Sequence, residues 1–207
     1  GQYRFSDKVY KEHPEEMMKT SDRRISTSAF ERMPKLFTET KPDDKYEYIQ
    51  MYGNFNNNRV YRWFRKDYLS PIDNLYKYKV MFPKANGSGA IGEVLSTPLI
   101  GTPLIGTPLI GYTETYISVG ATDSLTEVTA ILKYIKSKFA RALLGILKVT
   151  QDNTKKVWEY VPLQDFTEKS DIDWSKSIPE IDKQLYSKYG LSQDEIDFIE
   201  TKVSAME

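Results

Sequence analysis

Tyr46-Glu-Tyr-Ile-Gln-Met-Tyr52 and Arg59-Val-Tyr-Arg-Trp-Phe64 flank Gly53-Asn-Phe-Asn-Asn-Asn58, and the reading of this stretch decides the fold class. Aromatic and β-branched residues in the flanks are strand composition, and a glycine with asparagines between them is turn chemistry. The spacing predicts a β-hairpin with an asparagine-rich tip. Arg59, Arg62, Arg65 and Lys66 make its second arm and the residues just beyond it basic. Two readings follow: a hairpin with solvated charges, or one whose amides and cations face a partner.

Working outward, Tyr76-Lys-Tyr-Lys-Val-Met-Phe82 and Tyr112-Thr-Glu-Thr-Tyr-Ile-Ser-Val-Gly120 alternate as strands do. Ser124-Leu-Thr-Glu127 has the form of a capping box. After it Val128, Ile131, Leu132, Ile135, Phe139, Ala142, Leu143 and Ile146 recur at three- and four-residue steps, which predicts one amphipathic helix of about twenty residues. Lys156-Val-Trp-Glu-Tyr-Val161 reads as a closing strand stopped by Pro162, and two short amphipathic helices are expected on either side of Gly190, the second opening on Ser192 and Glu195. The expected fold is therefore α+β, a mixed sheet with hairpins packed on one long amphipathic helix, followed by a short C-terminal helical tail.

Two glycine-bearing segments are harder to read. Gly87-Ser-Gly-Ala-Ile-Gly92 has the spacing of a dinucleotide-binding loop, but that mechanism needs a helix opening on the last glycines. Pro98 follows too soon for one, so a surface loop carrying Lys84, Asn86 and Ser88 is the better reading. Thr97-Pro-Leu-Ile-Gly101 is then repeated twice more, through Gly111. Three five-residue copies are too short for a solenoid, and a proline in each forbids a continuous helix or central strand. Turns or edge-like extended pieces are expected there.

The 207 residues are 40% hydrophobic and 13% aromatic, enough for one substantial core. The net charge of zero hides a division. The last 49 residues hold twelve acids and five bases, a net of −7, and the rest of the chain stands at +7. Between positions 133 and 156 seven bases (Lys133, Lys136, Lys138, Arg141, Lys148, Lys155 and Lys156) face one acid, Asp152. Gln151, Asn153 and threonines lie among the last of these cations, so groups that read base edges stand beside groups that hold phosphates. A polyanionic partner is implied.

There is no cysteine, which excludes disulfides and thiolate zinc sites and fits a cytoplasmic location. Histidine chemistry would rest on His13 alone, beside Pro14 in a charged segment where an ordinary exposed histidine is the commoner case. No apolar run approaches the eighteen residues that suggest a membrane span, and no charged-then-apolar leader opens the chain. The start at Gly1-Gln2 fits a piece of a larger protein.

The ordered series Tyr78-Lys-Val-Met-Phe-Pro-Lys-Ala-Asn-Gly-Ser-Gly89, Thr113-Glu-Thr-Tyr-Ile-Ser-Val-Gly120, Tyr134-Ile-Lys-Ser-Lys-Phe-Ala-Arg-Ala-Leu-Leu144, Lys148-Val-Thr-Gln-Asp-Asn153, Val161-Pro-Leu-Gln-Asp-Phe166 and Ile181-Asp-Lys-Gln-Leu-Tyr-Ser-Lys-Tyr-Gly-Leu191 resembles the C-terminal target recognition domain of bacterial type II restriction-modification enzymes. These combine an adenine-specific DNA methyltransferase with an endonuclease. The resemblance, over about residues 23–203, implies a division into a linker or N-terminal extension (1–22), a DNA target recognition domain (23–166) and an acidic helical tail (167–207). It also implies double-stranded DNA as partner, together with a catalytic methyltransferase or nuclease domain or subunit. S-adenosylmethionine and magnesium would belong to that parent enzyme, with no cofactor and no metal in this fragment.

What such enzymes need for catalysis is missing here. No Pro-Pro pair of the adenine-holding motif occurs, and Glu39-Thr-Lys41 precedes Pro42-Asp43 instead of following it as a nuclease site requires. No catalytic residue is therefore assigned. The expected base readers are Asn54, Asn57, Asn58, Asn86, Thr115, Gln151 and Asn153, and the expected backbone anchors are Arg59, Arg62, Lys84, Ser88, Lys148, Lys155 and Lys156. Two other classes stay open: a protein-interaction module that uses the tyrosines and the repeats as an adhesive surface, and an enzyme whose carboxylates were not recognised.

Overall fold

A computed structural model describes residues 2–85, 102–148 and 152–206. The fold is α+β. Contacts divide the chain into two compact units, Gly1–Lys79 with Gly106–Ser118, and Val80–Ile105 with Val119–Glu207. The helices are α1 (Asp7–Glu12), α2 (Pro14–Met17), α3 (Ala29–Arg32), α4 (Leu125–Lys136), α5 (Lys138–Leu147), α6 (Ile178–Lys188) and α7 (Gln193–Lys202). The strands are β1 (Phe37–Thr38), β2 (Tyr48–Phe55), β3 (Asn58–Arg65), β4 (Tyr78–Pro83), β5 (Leu104–Gly106), β6 (Ile110–Tyr112) and β7 (Tyr116–Thr122).

In the first unit the predicted hairpin is present, with longer arms and a tighter tip than expected. β2 and β3 pair in register from Tyr48↔Arg65 to Phe55↔Asn58, leaving only Asn56 and Asn57 in the turn. Both have positive φ, 48° and 61°, as a type I′ turn demands and as asparagine tolerates better than most residues. Gly53, expected in the tip, lies instead inside β2. A Cβ there would sit 2.6 Å from the Thr113 methyl and 2.7 Å from the Phe30 ring, so the glycine serves close packing, not the turn.

The sheet order is β1-β3-β2-β6, antiparallel except for the parallel β2–β6 pair. Paired residues share a face, so Ile49, Met51 and Phe64 line one side. That side is covered not by a long helix but by aromatic rings: Phe37 stacks on Phe64 at 4.8 Å, with Phe30 5.0 Å from Phe37 and Phe5 6.0 Å from Phe64. Burying each such ring stabilises by roughly 1.5–3 kcal/mol. Tyr3, Phe5, Val9 and Met17 are buried as well, so the segment expected as a linker or N-terminal extension contributes side chains to this core.

A polar clamp ties that N-terminal segment to the base of the hairpin. Arg65, at the end of β3 and buried, reaches Asp67 at 2.6 Å, Glu12 of α1 at 2.9 Å and the Tyr68 hydroxyl at 2.7 Å, and its guanidinium lies 3.7 Å from the Tyr46 ring centre. Lys8 adds a second cation against Asp67. His13 donates to or accepts from the same Tyr68 hydroxyl at 3.0 Å.

In the second unit the predicted long helix is two. Ser137 breaks it, with ψ at 148° and a side chain that accepts from Ala140 N–H as the cap of α5. The buried Asp182 of α6 accepts from the Lys138 and Phe139 amides, so the new N-terminus is satisfied twice over. Ser124 caps α4 by accepting from Glu127 N–H, while the Glu127 carboxylate turns to the Thr122 hydroxyl and leaves the box half closed. The Ser192–Glu195 box of α7 is complete. The acidic C-terminal segment forms the expected helices and packs them on the unit: α6 packs on α4 and α5, and α7 packs on α5, with Ile181, Leu185, Tyr186 and Ile199 in the core beside Val128, Phe139 and Leu144.

The stretch 156–161, expected as a strand, is instead a 3-10 turn, Lys155–Trp158. One turn suffices to bury Val157 and set Trp158 5.6 Å from Phe82 while Lys155 and Lys156 stay in solvent. The second and third copies of the repeat give β5 and β6, each at the edge of a sheet, the former in a three-stranded sheet ordered β5-β4-β7. The third copy turns through Leu109, whose φ is 67°.

Gly53→Ala is expected to lower unfolding stability by about 1–3 kcal/mol, since Phe30 and Thr113 must both yield to the methyl; chemical denaturation checks it. Arg65, and next to it Lys8, hold the Asp67 pKa down to about 2 from 3.8. The folded state thus favours the carboxylate, and its contribution is whole above about pH 4 and is lost as pH falls toward 2. Asp67→Asn should flatten that acid limb in denaturation midpoints measured between these two values.

Candidate nucleic-acid interface

The two sets of expected contact residues fall in different units. Asn54, Asn57, Asn58, Arg59, Arg62 and Thr115 belong to the first, and Lys84, Lys148, Asn153, Lys155 and Lys156 to the second. Asn86, Ser88 and Gln151 lie outside the described residues, as do the glycine loop and the first copy of the repeat.

At the hairpin tip Asn56, Asn57, Asn58 and Arg59 are all exposed. Asn58 donates to the Asn56 carbonyl at 3.0 Å and the Asn56 amide donates to Glu31 at 2.9 Å, which hold the turn in shape. The face of the sheet opposite the phenylalanine core carries the alternate residues of β3, namely Arg59, Tyr61 and Trp63, against Asn54, Tyr52 and Gln50 of β2. Tyr61 and Tyr52 rings lie 4.7 Å apart, and Tyr116 continues the stack at 4.8 Å. The Arg59 guanidinium stands 6.0 Å from the Tyr116 ring, and Lys41 stands 5.7 Å from Trp63. Asn54 is half-buried and accepts from the Tyr116 hydroxyl at 3.4 Å. Burial pushes the Tyr116 and Tyr61 hydroxyls up, so both stay protonated donors at neutral pH.

The charges of the hairpin arm are largely spent within the fold. Arg62 pairs with Glu39 at 2.8 Å and lies 4.9 Å from the Phe55 ring, and Lys66 pairs with Glu47 at 2.8 Å. With Arg65 in the clamp, Arg59 is the member of this basic group with no carboxylate partner among the described residues. Thr115 is half-buried and shares a hydrogen bond with Thr113 at 3.0 Å.

Several cations of the basic run in the second unit are likewise engaged within the fold. Lys133 donates to the Trp174, Ser175 and Lys176 carbonyls at 2.9, 3.2 and 2.8 Å. Lys138 pairs with Glu200. Arg141 is buried, donates to the Lys136 and Ser204 carbonyls, and has its pKa pushed down to about 10 by desolvation. Two expected contacts are displaced by burial: Lys148 has 0% of its surface exposed, and Asn153 donates to the Pro83 carbonyl at 2.9 Å while its amide bonds the Lys84 carbonyl. Lys84 is half-buried, and Lys155 and Lys156 are exposed.

What the sequence reading missed is the aromatic row, Tyr61 and Trp63 with Lys41 beside them. Its signal was the alternation in Arg59-Val-Tyr-Arg-Trp63, which places every second residue on one face. Among the described residues no three histidine, aspartate or glutamate side chains converge as metal ligands do, and no helix is long and apolar enough to cross a membrane. No family model, curated protein or solved structure matches the chain.

Mass-spectrometric footprinting with an amine-acetylating reagent is expected to label Lys155 and Lys156 readily and Lys148 at least about tenfold more slowly. Equal labelling of Lys148 would contradict its burial.

Proposed function

We propose that this chain is a DNA recognition module whose hairpin reads the major groove of duplex DNA, in the manner expected of a target recognition domain of a restriction-modification enzyme. The observation that carries the reading is the exposed tip Asn56-Asn-Asn-Arg59 on a two-residue turn. A two-stranded ribbon is one of the two shapes the major groove admits, and asparagine suits adenine as arginine suits guanine, each good pair giving roughly 1–3 kcal/mol of discrimination. Asn57 and Asn58 are the preferred base readers and Arg59 the cation beside them, with Asn54 behind the tip. The aromatic row offers apolar surface for contact with thymine methyl groups in the groove. Lys84, Lys155 and Lys156 are kept as phosphate-contact candidates of the second unit taken by itself.

In this reading the module positions DNA and a catalytic methyltransferase or nuclease partner, in the cytoplasm, carries out the chemistry with S-adenosylmethionine and magnesium. Those groups are assigned to the parent enzyme, and none of the residues above is asked to hold them.

The test is anisotropy of a labelled pool of random duplexes at two salt concentrations. Arg59→Glu is expected to weaken binding about tenfold at the lower salt and to reduce the salt slope by about one. Asn57→Ala should leave that slope intact while relaxing the base preference seen after selection from the pool. Absence of binding by the unaltered chain, or binding indifferent to Arg59→Glu, would remove the hairpin from any DNA interface.

A further inference from the structure

An apolar trough runs between α5 and α7 of the second unit, with a volume of about 420 Å³. Leu143 and Ile146 of α5 form one wall, Phe198 of α7 the other, with Phe139 and Ile199 beneath. Ile146 is 53% and Phe198 49% exposed. Single exposed apolar residues are ordinary, but two large ones facing across one trough are an unpartnered apolar surface. Its polar lining consists of two carboxylates, Asp194 and Glu195. Glu195 is engaged in the capping box with Ser192. Asp194 is exposed and makes no ion pair among the described residues.

That chemistry selects an occupant. A small polar ligand would need several placed hydrogen-bonding groups to orient it, and the floor of the trough provides none. A lipid surface is disfavoured because anionic headgroups would meet the two acids. A second copy of this chain docking by the same patch would bring carboxylates against carboxylates. An amphipathic helix with aliphatic side chains three and four residues apart and lysine or arginine on its flank satisfies both the apolar walls and the acidic rim.

We propose that the α5–α7 trough docks such a basic amphipathic helix from a partner protein, its aliphatic residues seated between Ile146 and Phe198 and its cations on Asp194 and Glu195. The site is independent of the hairpin, so its success or failure says nothing of DNA binding.

The experiment titrates the full chain into a fluorescent helical peptide of about 18 residues, with leucines along one face and lysines along both flanks, and into a twin whose lysines are glutamates. Saturable binding of the lysine peptide alone is expected. Phe198→Ala, and separately Ile146→Ser, should each weaken it about tenfold, and Asp194→Lys should weaken it and reduce its salt dependence. Both apolar side chains are half in solvent, so these variants keep the fold, which circular dichroism verifies. Binding that ignores all three substitutions, binding of the acidic twin with equal strength, or no binding at all would overturn the proposal. So would a concentration-dependent dimer in sedimentation that Phe198→Ala abolishes, since the trough would then belong to a second copy.

Discussion

A buried guanidinium organises the first unit. Arg65 ends the hairpin's second arm, and from one planar group it reaches α1 through Glu12, the next turn through Asp67 and Tyr68, and the Tyr46 ring before the first arm. Taking an arginine out of water is costly unless its donors are met, and here carboxylates and a hydroxyl meet them. The same contacts fix the N-terminal segment, whose Phe5 then closes the phenylalanine cluster over the sheet. With its base held in this way, the hairpin can keep a tip that packs on little.

Charge in sequence proved a poor guide to charge in space. Seven cations in 24 residues suggest an electropositive face, yet folding spends most of them on carbonyls, on an acid of α7, or in the interior. The cause is geometric. A helix packed on other helices has few positions that reach solvent freely, and long basic side chains bend toward the carbonyl ends and carboxylates of neighbouring segments. The acidic C-terminal segment is the natural complement of the basic helices, and its helices pack on α4 and α5. Among the described residues of the basic run, Lys155 and Lys156 are the exposed cations.

Much of the fold was legible where a local rule acts alone. The hairpin, the α+β class, the caps at Ser124 and Ser192 and the edge character of the repeats all follow from turn chemistry, periodicity or proline. Ser137 was missed because the apolar spacing runs through it without a change of step; only the capping chemistry of serine, and an acid 45 positions on, mark the break. The 3-10 turn at Lys155 was read as a strand because Val157 and Trp158 are β formers, and no local rule reports that a strand there would lack a partner. Gly53 looked like part of the turn because nothing in its neighbourhood announces Phe30 lying across it. The candidate contact residues were chosen by type, amides beside cations, and burial decided which of them face outward. Lys148 and Asn153 show the difference.

The repeats hold a last consequence. Three identical copies precede Tyr112, and the second and third supply β5 and β6. Tyr112 is the first residue to depart from the pattern, and it is buried with its ring 4.7 Å from Tyr3 and its hydroxyl 2.9 Å from Ser118. It acts as a register pin: slipping the chain by one copy would put Thr107 in its place and leave a hole where the ring had been. A gene that gained or lost one whole copy would still encode Leu-Ile-Gly followed by Ile-Gly-Tyr, and would keep both strands anchored at the same tyrosine. The residues that make both strands are thus the same whichever whole copy lies upstream of them.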